Sequence, residues 1–510
     1  MKLRHLLFGV LAGVAFVACT NDNEPAGVTP AEGNKVATAD KYISVDLKLP
    51  GGASTRATGD FVAATQEEND VKKATFLFFN GEDQVADPFT IAAGGNDAAG
   101  DKWTPGTTNK KAPVVVMKNP SDYPTSLVVL INYGGTVAKT QKLSALQAIV
   151  ADYSATTNGF VMSNSVYNDA AGNVIGAPVT SANIKNTAAD AKAAPVKVYV
   201  ERVLAKVSVT KADNVTVTTG DDKITVDITG WTLAYVNSQS YLIKKLNKTY
   251  SYDWTWNDPT NHRSFWAESA DFVAATGTAY NAASELGATL YAQESTSFTK
   301  FTPKADTNPT AVIVNATLKY DGTAQNLYKY YGVVYTEDAL KTILANSAAA
   351  KQYYKKTSAE GVTPATYESF AAADFTLVKD ATAGEKYEAK VNLEFPSTAK
   401  IFDAEGNTVT VATANAALAA AAETLEYWNG GATYYYVPIK QVPDAGVFGI
   451  VRNHFYQLNV TKVQGLGTAV PDPSQVIIPE TPEEDDYYIA AEINILDWRS
   501  VEENVTLGGE

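Results

Sequence analysis

The chain has 510 residues, a single cysteine and a formal net charge of −15. An acidic surface repels phosphate backbones and excludes nucleic acid as a partner, while one cysteine excludes internal disulfides and cysteine-based zinc sites. With 28 Tyr, 18 Phe and 7 Trp but only 19% charged residues, the composition favours pleated, half-buried strands, and the length suffices for two moderate domains or three small ones.

Lys2 and Arg4 precede an apolar run, Leu6 to Val17, that is too short to span a bilayer comfortably. Small residues and Cys19 close it in Phe16-Val17-Ala18-Cys19. This is the pattern of an export signal, residues 1–18, with lipidation expected at Cys19. Residues 20–39 are polar and read as a tether. In Tyr42 to Leu49, Ile43, Val45, Leu47 and Leu49 share one side and Ser44, Asp46 and Lys48 the other, which predicts a one-sided strand. Pro50-Gly51-Gly52 ends it, and the small polar loop Ala53 to Gly59 offers one protease target, Arg56.

Strands are then predicted at 75–79, 113–117, 127–132, 196–200, 205–210, 215–219 and 224–229, with one short helix over 144–153 carrying a capping box at Ser144 and Gln147. A second region begins near 230, with strands at 231–236, 311–320, 390–395, 433–440 and 455–463. Helices are expected over 337–354, with Leu340, Ile343, Leu344 and Ala348 on one face, and over the Ala-rich 415–427. Many short strands with turn signals predict an all-β protein with a few short helices. Residues 465–486, rich in Pro, read as a linker.

The last segment, 487–507, reads as a long one-sided strand: Ile489, Ala491, Ile493 and Ile495 share a face, and after a break at Leu496-Asp497-Trp498 Val501, Val505 and Leu507 keep that parity. An apolar strand on an extended arm either folds back on its own domain or adds to another subunit's sheet. Suppose a trypsin-like protease cuts after Arg56, leaving Ala57 as the new start. The first strand then becomes separable, and a neighbour's tail can replace it. Each added subunit again offers one groove and one strand, so the contact builds a fibre. An ordinary solvated arginine in a loop is the plain alternative for Arg56.

No catalytic motif emerges. Only His262 and His454 follow the export signal, no His pair has metal-ligand spacing, and no nucleophile elbow or phosphate loop is present. Both histidines sit in Trp- or Tyr-rich stretches and read as structural hydrogen-bonding residues. Glu483 to Asp486 reads as a solvated charge run, and Tyr434 to Tyr436 as sheet surface and core. The chain is read as no enzyme, with no cofactor and no metal.

Several stretches resemble the type V pilins, the fimbrillins of Bacteroidales, and within them the major-subunit group of the minor (short) fimbriae. They are Phe160 to Ser165, Val200 to Val207, Gly230-Trp231 with Ser240-Tyr241-Leu242, and Arg263 to Ala267. The fullest are Tyr427-Trp428 with Gly430-Gly431, Tyr434 to Ile439, and Gly449 to Tyr456. Ala292 departs from some relatives, which carry Cys there. The resemblance implies two tandem transthyretin-like β-sandwich domains, lipoprotein export to the outer membrane, cleavage of the Arg56–Ala57 bond by an Arg-specific protease, and assembly by exchange of the C-terminal donor strand. The expected divisions are 1–18 signal peptide, 19–56 tether and removable strand, 57–222 and 223–470 β-sandwich domains, and 471–510 arm and donor strand. The expected function is a fimbrial structural subunit that supports adhesion and biofilm formation. Its partners would be copies of itself and the anchor and tip subunits. The alternative is a tip or accessory adhesin, or a surface glycan-binding lipoprotein that never polymerises.

Overall fold

The computed structural model describes residues 39–48, 64–105, 112–165, 167–168, 174–245, 268–270, 279–298, 308–382, 387–442, 447–477, 488–496 and 501–504. Cys19, Leu49, Arg56, Ala57, His262, Arg263 to Ala267, Glu483 to Asp486, Val505 and Leu507 lie outside them.

The chain is mostly β, with five short α-helices among the described residues. The first unit is a nine-stranded array drawn from residues 41–202. Its spine is Lys73–Asn80 against Ser126–Ile131, antiparallel from Ala74 opposite Ile131 to Phe79 opposite Ser126. Continuous apolar runs such as Leu127 to Ile131 are buried on both faces, and the core takes in Phe76, Phe78, Val129 and Val200. A strand covered on both sides has no polar face to alternate with.

The second unit is a β-sandwich. One sheet runs Thr289–Ala292, Ala205–Thr218, Phe455–Gln464, Tyr488–Leu496 and Val501–Asn504; the other runs Ile224–Ala234, Ala311–Tyr320, Ala432–Pro438 and Thr468–Ala469. Val207, Val209, Leu458 and Val460 of the first meet Trp231, Val312, Val314 and Val437 of the second in one core. The sheets change between Arg202 and Ala205, ahead of the expected boundary at 222. The expected strands at 205–210 and 215–219 are one strand whose register slips between Lys211 and Thr216.

Between Ala311–Tyr320 and Ala432–Pro438 the chain builds a further unit with its own core of Tyr328, Leu340, Phe395, Leu418 and Tyr427. It holds a five-stranded and a four-stranded sheet with the helices Glu337–Leu344, Ala348–Lys351 and Val411–Ala420. The helix expected over 337–354 is thus two pieces. Ser347 separates them and accepts from the Ala350 N–H at 3.4 Å, a cap that starts the second. The Ala-rich helix starts earlier than expected, capped by Thr410, and yields to the strand Glu423–Trp428. The helix near 144 spans only Leu143–Gln147, and its first turn is satisfied from across the chain by Glu82 rather than by a capping box.

Two expectations for the C-terminal part are corrected. Residues 465–477 are no linker: Thr468–Ala469 pairs with Ala432–Pro438, and Leu466, Val470 and Ile477 are buried. The tail is no single strand either. Tyr488–Leu496 turns back, and Val501–Asn504 pairs with it antiparallel, Val501 opposite Ile495.

Candidate functional site

The first strand, Lys41–Lys48, lies inside the first unit's sheet. Its leading half pairs antiparallel with Val114–Met117, from Lys41 opposite Met117 to Ser44 opposite Val114. Its trailing half pairs parallel with Val196–Arg202, from Val45 opposite Val196 to Lys48 opposite Tyr199. Tyr42 exchanges two backbone hydrogen bonds with Lys185, at 2.9 and 3.0 Å. Ile43 and Val45 are fully buried and Leu47 is 7% exposed, as their alternation predicts. Ser44, on the other face, is only 1% exposed. At the strand's entrance Asp40 meets Lys118 Nζ at 2.8 Å and accepts from the Asn119 N–H. The Lys118 hydrogen bond holds the Asp40 carboxyl below its ordinary range.

The tail strand Tyr488–Leu496 pairs antiparallel with Phe455–Gln464, from Phe455 opposite Leu496 to Gln464 opposite Tyr488. In this state the tail completes its own sandwich, and Val501–Asn504 covers its outer edge. Ile489, Ala491, Ile493, Ile495 and Val501 are therefore gathered in one hairpin, at the opposite end of the chain's order from Ile43, Val45 and Leu47.

Between the two units lies a seam of buried charge that sequence reasoning did not single out. Glu68, in the 3-10 turn Glu67–Asn69, meets Lys206 Nζ at 2.7 Å and accepts from Tyr291 Oη at 2.6 Å and the Thr65 N–H at 2.7 Å. Burial pushes the Glu68 carboxyl up, but the hydrogen bonds from Lys206, Tyr291 and Thr65 outweigh it and hold it below the ordinary glutamate range. Arg202 is fully buried; its guanidinium donates to Glu68 O, Asn69 Oδ1 and Asn453 Oδ1. Arg452, also fully buried, donates to Glu294 Oε2 at 2.7 Å and to the carbonyls of Tyr241 and Leu242. Glu201 pairs with Lys244 at 3.3 Å; burial raises its pKa, partly offset by Lys244. Ser163 donates to the Leu242 carbonyl at 2.7 Å, and Gln293 Nε2 to Asp152 at 2.9 Å. His454 is buried with Nδ1 2.8 Å from the Arg452 carbonyl, a structural position.

Four of the stretches that carry the family resemblance meet here: Phe160 to Ser165, Val200 to Val207, Ser240 to Leu242 and Arg452 to Tyr456. Tyr434 and Tyr435 are buried on opposite faces of their strand, one in each neighbouring core. Among the described residues no cluster of three His, Cys, Asp or Glu side chains is placed to hold a metal, and no helix is long and apolar enough to cross a membrane. What the arrangement can do is mechanical: buried ion pairs tie the two units together, and the first strand joins Val114–Met117 to Val196–Arg202.

Residues 426–504 match the family model described as major fimbrial subunit protein type IV, fimbrillin, C-terminal. That stretch carries Arg452 and the tail. No curated protein matches the chain. Among solved structures, a fimbrilin (fimA) from Porphyromonas gingivalis W83 is similar at 15% identity and a TM-score of 0.38, covering 91% of this chain and 98% of its own. A putative cell adhesion protein from Parabacteroides distasonis ATCC 8503 gives 12% and 0.36, covering 92% and 99%. The tip fimbrial protein Mfa3 from Porphyromonas gingivalis, with C-terminal truncation, gives 14% and 0.33, covering 90% and 100%.

Proposed function

We propose that this chain is the precursor of a structural subunit of a cell-surface fimbria, assembled by exchange of its first strand for a neighbour's tail. In this reading the chain is exported, lipidated at Cys19 and held at the outer membrane. An Arg-specific protease then cuts between Arg56 and Ala57 and releases residues 19–56. The slot left between Val114–Met117 and Val196–Arg202 receives residues 488–496 of another copy. Fibres built this way carry adhesion and biofilm contacts, with anchor and tip subunits at their ends.

The observation that carries the reading is the place of Lys41–Lys48. A strand that precedes residues 49–63, with their one arginine, is paired on both sides and buries Ile43, Val45 and Leu47. Its loss leaves Val114–Met117 with no strand partner among the described residues and bares the backbone groups of Val196–Arg202 together with an apolar floor. The tail's fold-back onto Phe455–Gln464 is compatible with this: Tyr488–Leu496 and Val501–Asn504 together form the outer end of their sheet, and only Tyr488–Leu496 is paired to the rest of it.

The test is gentle Arg-specific proteolysis of the purified precursor, followed by mass spectrometry and size analysis, with a variant truncated before Tyr487 as control. Loss of everything up to Arg56, then ladders of multimers only when the tail is present, is the expected result. A resistant Arg56, or a cleaved chain that stays a stable monomer with its tail intact, refutes strand exchange.

A further inference from the structure

The two ends of the chain carry the same eight-residue pattern. Tyr42-Ile43-Ser44-Val45-Asp46-Leu47-Lys48-Leu49 and Tyr488-Ile489-Ala490-Ala491-Glu492-Ile493-Asn494-Ile495 match position by position. Tyrosine stands for tyrosine, isoleucine for isoleucine, a small residue for serine, an acid for an acid, and aliphatic residues for Val45, Leu47 and Leu49. Building on strand exchange as the mode of assembly, we propose that the tail of a second copy enters the slot in a single register and direction, with Tyr488 at the place of Tyr42 and Ile493 at that of Leu47.

The slot itself selects this register. A slip by one residue turns the apolar face outward. A slip by two keeps the faces but fails at the place of Ser44. That place is 1% exposed, opposite fully buried Val114, with the short helix Ala188–Ala191 lying against the strand. It accepts a small side chain, and the proposed register supplies Ala490. Slipping two residues one way brings Tyr488 there, which is too large. Slipping the other way brings Glu492, a carboxylate buried without a partner. Reversing the strand brings Glu492 or Asn494 to the same place, or brings Ala490 only by leaving Leu47's place to Tyr487. The donor therefore runs parallel to Val196–Arg202 and antiparallel to Val114–Met117, as the strand it replaces does.

The register also fixes the fit. Ala491 takes the fully buried place of Val45 and fills it less well. The leaving strand thus suits the slot better than the entering one, which ties exchange to prior cleavage.

Cysteine pairing reads the register directly, because the chain has no cysteine after Cys19. Subunits carrying Lys197→Cys, at an exposed position opposite Asp46, are cleaved and mixed with subunits carrying Ala490→Cys, Glu492→Cys or Asn494→Cys, then oxidised during assembly. A second acceptor, Tyr199→Cys, opposite Lys48, is mixed with the same donors. The expected result is disulfide-linked ladders from Glu492→Cys with Lys197→Cys and from Asn494→Cys with Tyr199→Cys, and from no other pair. Links from Ala490→Cys or Asn494→Cys to Lys197→Cys overturn the register and leave strand exchange standing. A Glu492→Cys link to Lys197→Cys joined by an Ala490→Cys link to Tyr199→Cys means a reversed strand and also overturns it. Assembly that persists without the tail removes strand exchange itself, and the register falls with it.

Discussion

Removing the first strand should leave the first unit close to its stability limit. The perturbation is a chain that starts at Ala57 and stops before Tyr487, so that neither its own strand nor a donor is present. Ile43 and Val45 are fully buried and Leu47 nearly so. At about 1.5–3 kcal/mol for each buried aliphatic side chain, their loss costs about 4.5–9 kcal/mol. That figure is an upper bound, because an unfolded chain already hides part of its apolar surface. Since whole domains are typically stable by about 5–15 kcal/mol, the unit should unfold at much lower denaturant than the uncleaved chain, in a transition of its own. Urea titration followed by tyrosine and tryptophan fluorescence measures this. A peptide of residues 41–49 should restore the first unit, by about 2.7 kcal/mol at a hundredfold excess over its dissociation constant. A peptide of residues 488–496 should do the same less strongly. If the truncated chain unfolds at the same urea concentration as the precursor, the first strand contributes little and the reasoning fails.

Filling the place of Val45 from the donor side should strengthen the fibre: Ala491→Val raises the temperature at which ladders fall apart in detergent, and Ala491→Asp abolishes ladders. At the seam, Glu294→Gln strands the buried Arg452 charge and should cost about 3–5 kcal/mol in urea unfolding; a loss below about 1 kcal/mol refutes the lock. Glu68 has a lowered pKa, so its stabilisation is complete above the ordinary glutamate value and is lost as pH falls through the folded one. The deficit of Glu68→Gln relative to the parent chain should therefore be full at pH 7 and vanish in acid, as denaturation at a series of pH values reads out. Gly431→Ala should destabilise the sandwich, because at a φ of 83° its Cβ would run into the Leu318 carbonyl oxygen; an unchanged melting temperature contradicts this.

The sequence displays openly the strands whose residue types alternate or form a long β-rich run, even where both faces are buried, as at Ser44 and along Ala311–Ala316. Lys41–Lys48 was legible because Ile43, Val45 and Leu47 alternate with Ser44 and Asp46, and Ala311–Tyr320 because it is a long β-rich run ending at Asp321-Gly322. The break at Leu496-Asp497-Trp498 is visible in the tail, but parity cannot tell a reversal from a straight continuation. Ile495 and Val501 face each other across a hairpin, and an even spacing looks the same in a straight strand. The Ala-rich helix was placed late because Val411 and Thr413 weaken the helical pattern, while Thr410, the actual cap, resembles any other threonine nearby. The unit around Tyr328 and Tyr427 was missed because no change of composition marks its ends. The seam was invisible for a different reason. Arg452 and Glu294 are 158 residues apart, and Arg202 and Asn453 are 251 apart, so no local spacing betrays them. The family stretches pointed to these positions without saying what they do; the buried ion pairs supply the reason.

The first strand's two neighbours are staggered. Val114–Met117 lies along residues 41–44, and Val196–Arg202 along residues 45–48, so the flanking strands scarcely stand opposite one another across the gap. A wound of that shape does not heal by its lips closing. Bringing the two edges together would require sliding one by half the slot's length, against the core that holds Val115 and Met117 and against the pairing of Val196–Arg202 with Met162–Asn164. If assembly runs by strand exchange as proposed, a subunit that has lost its first strand keeps its vacancy for the next copy, and growth of the fibre runs forward without the subunit reverting to a closed form.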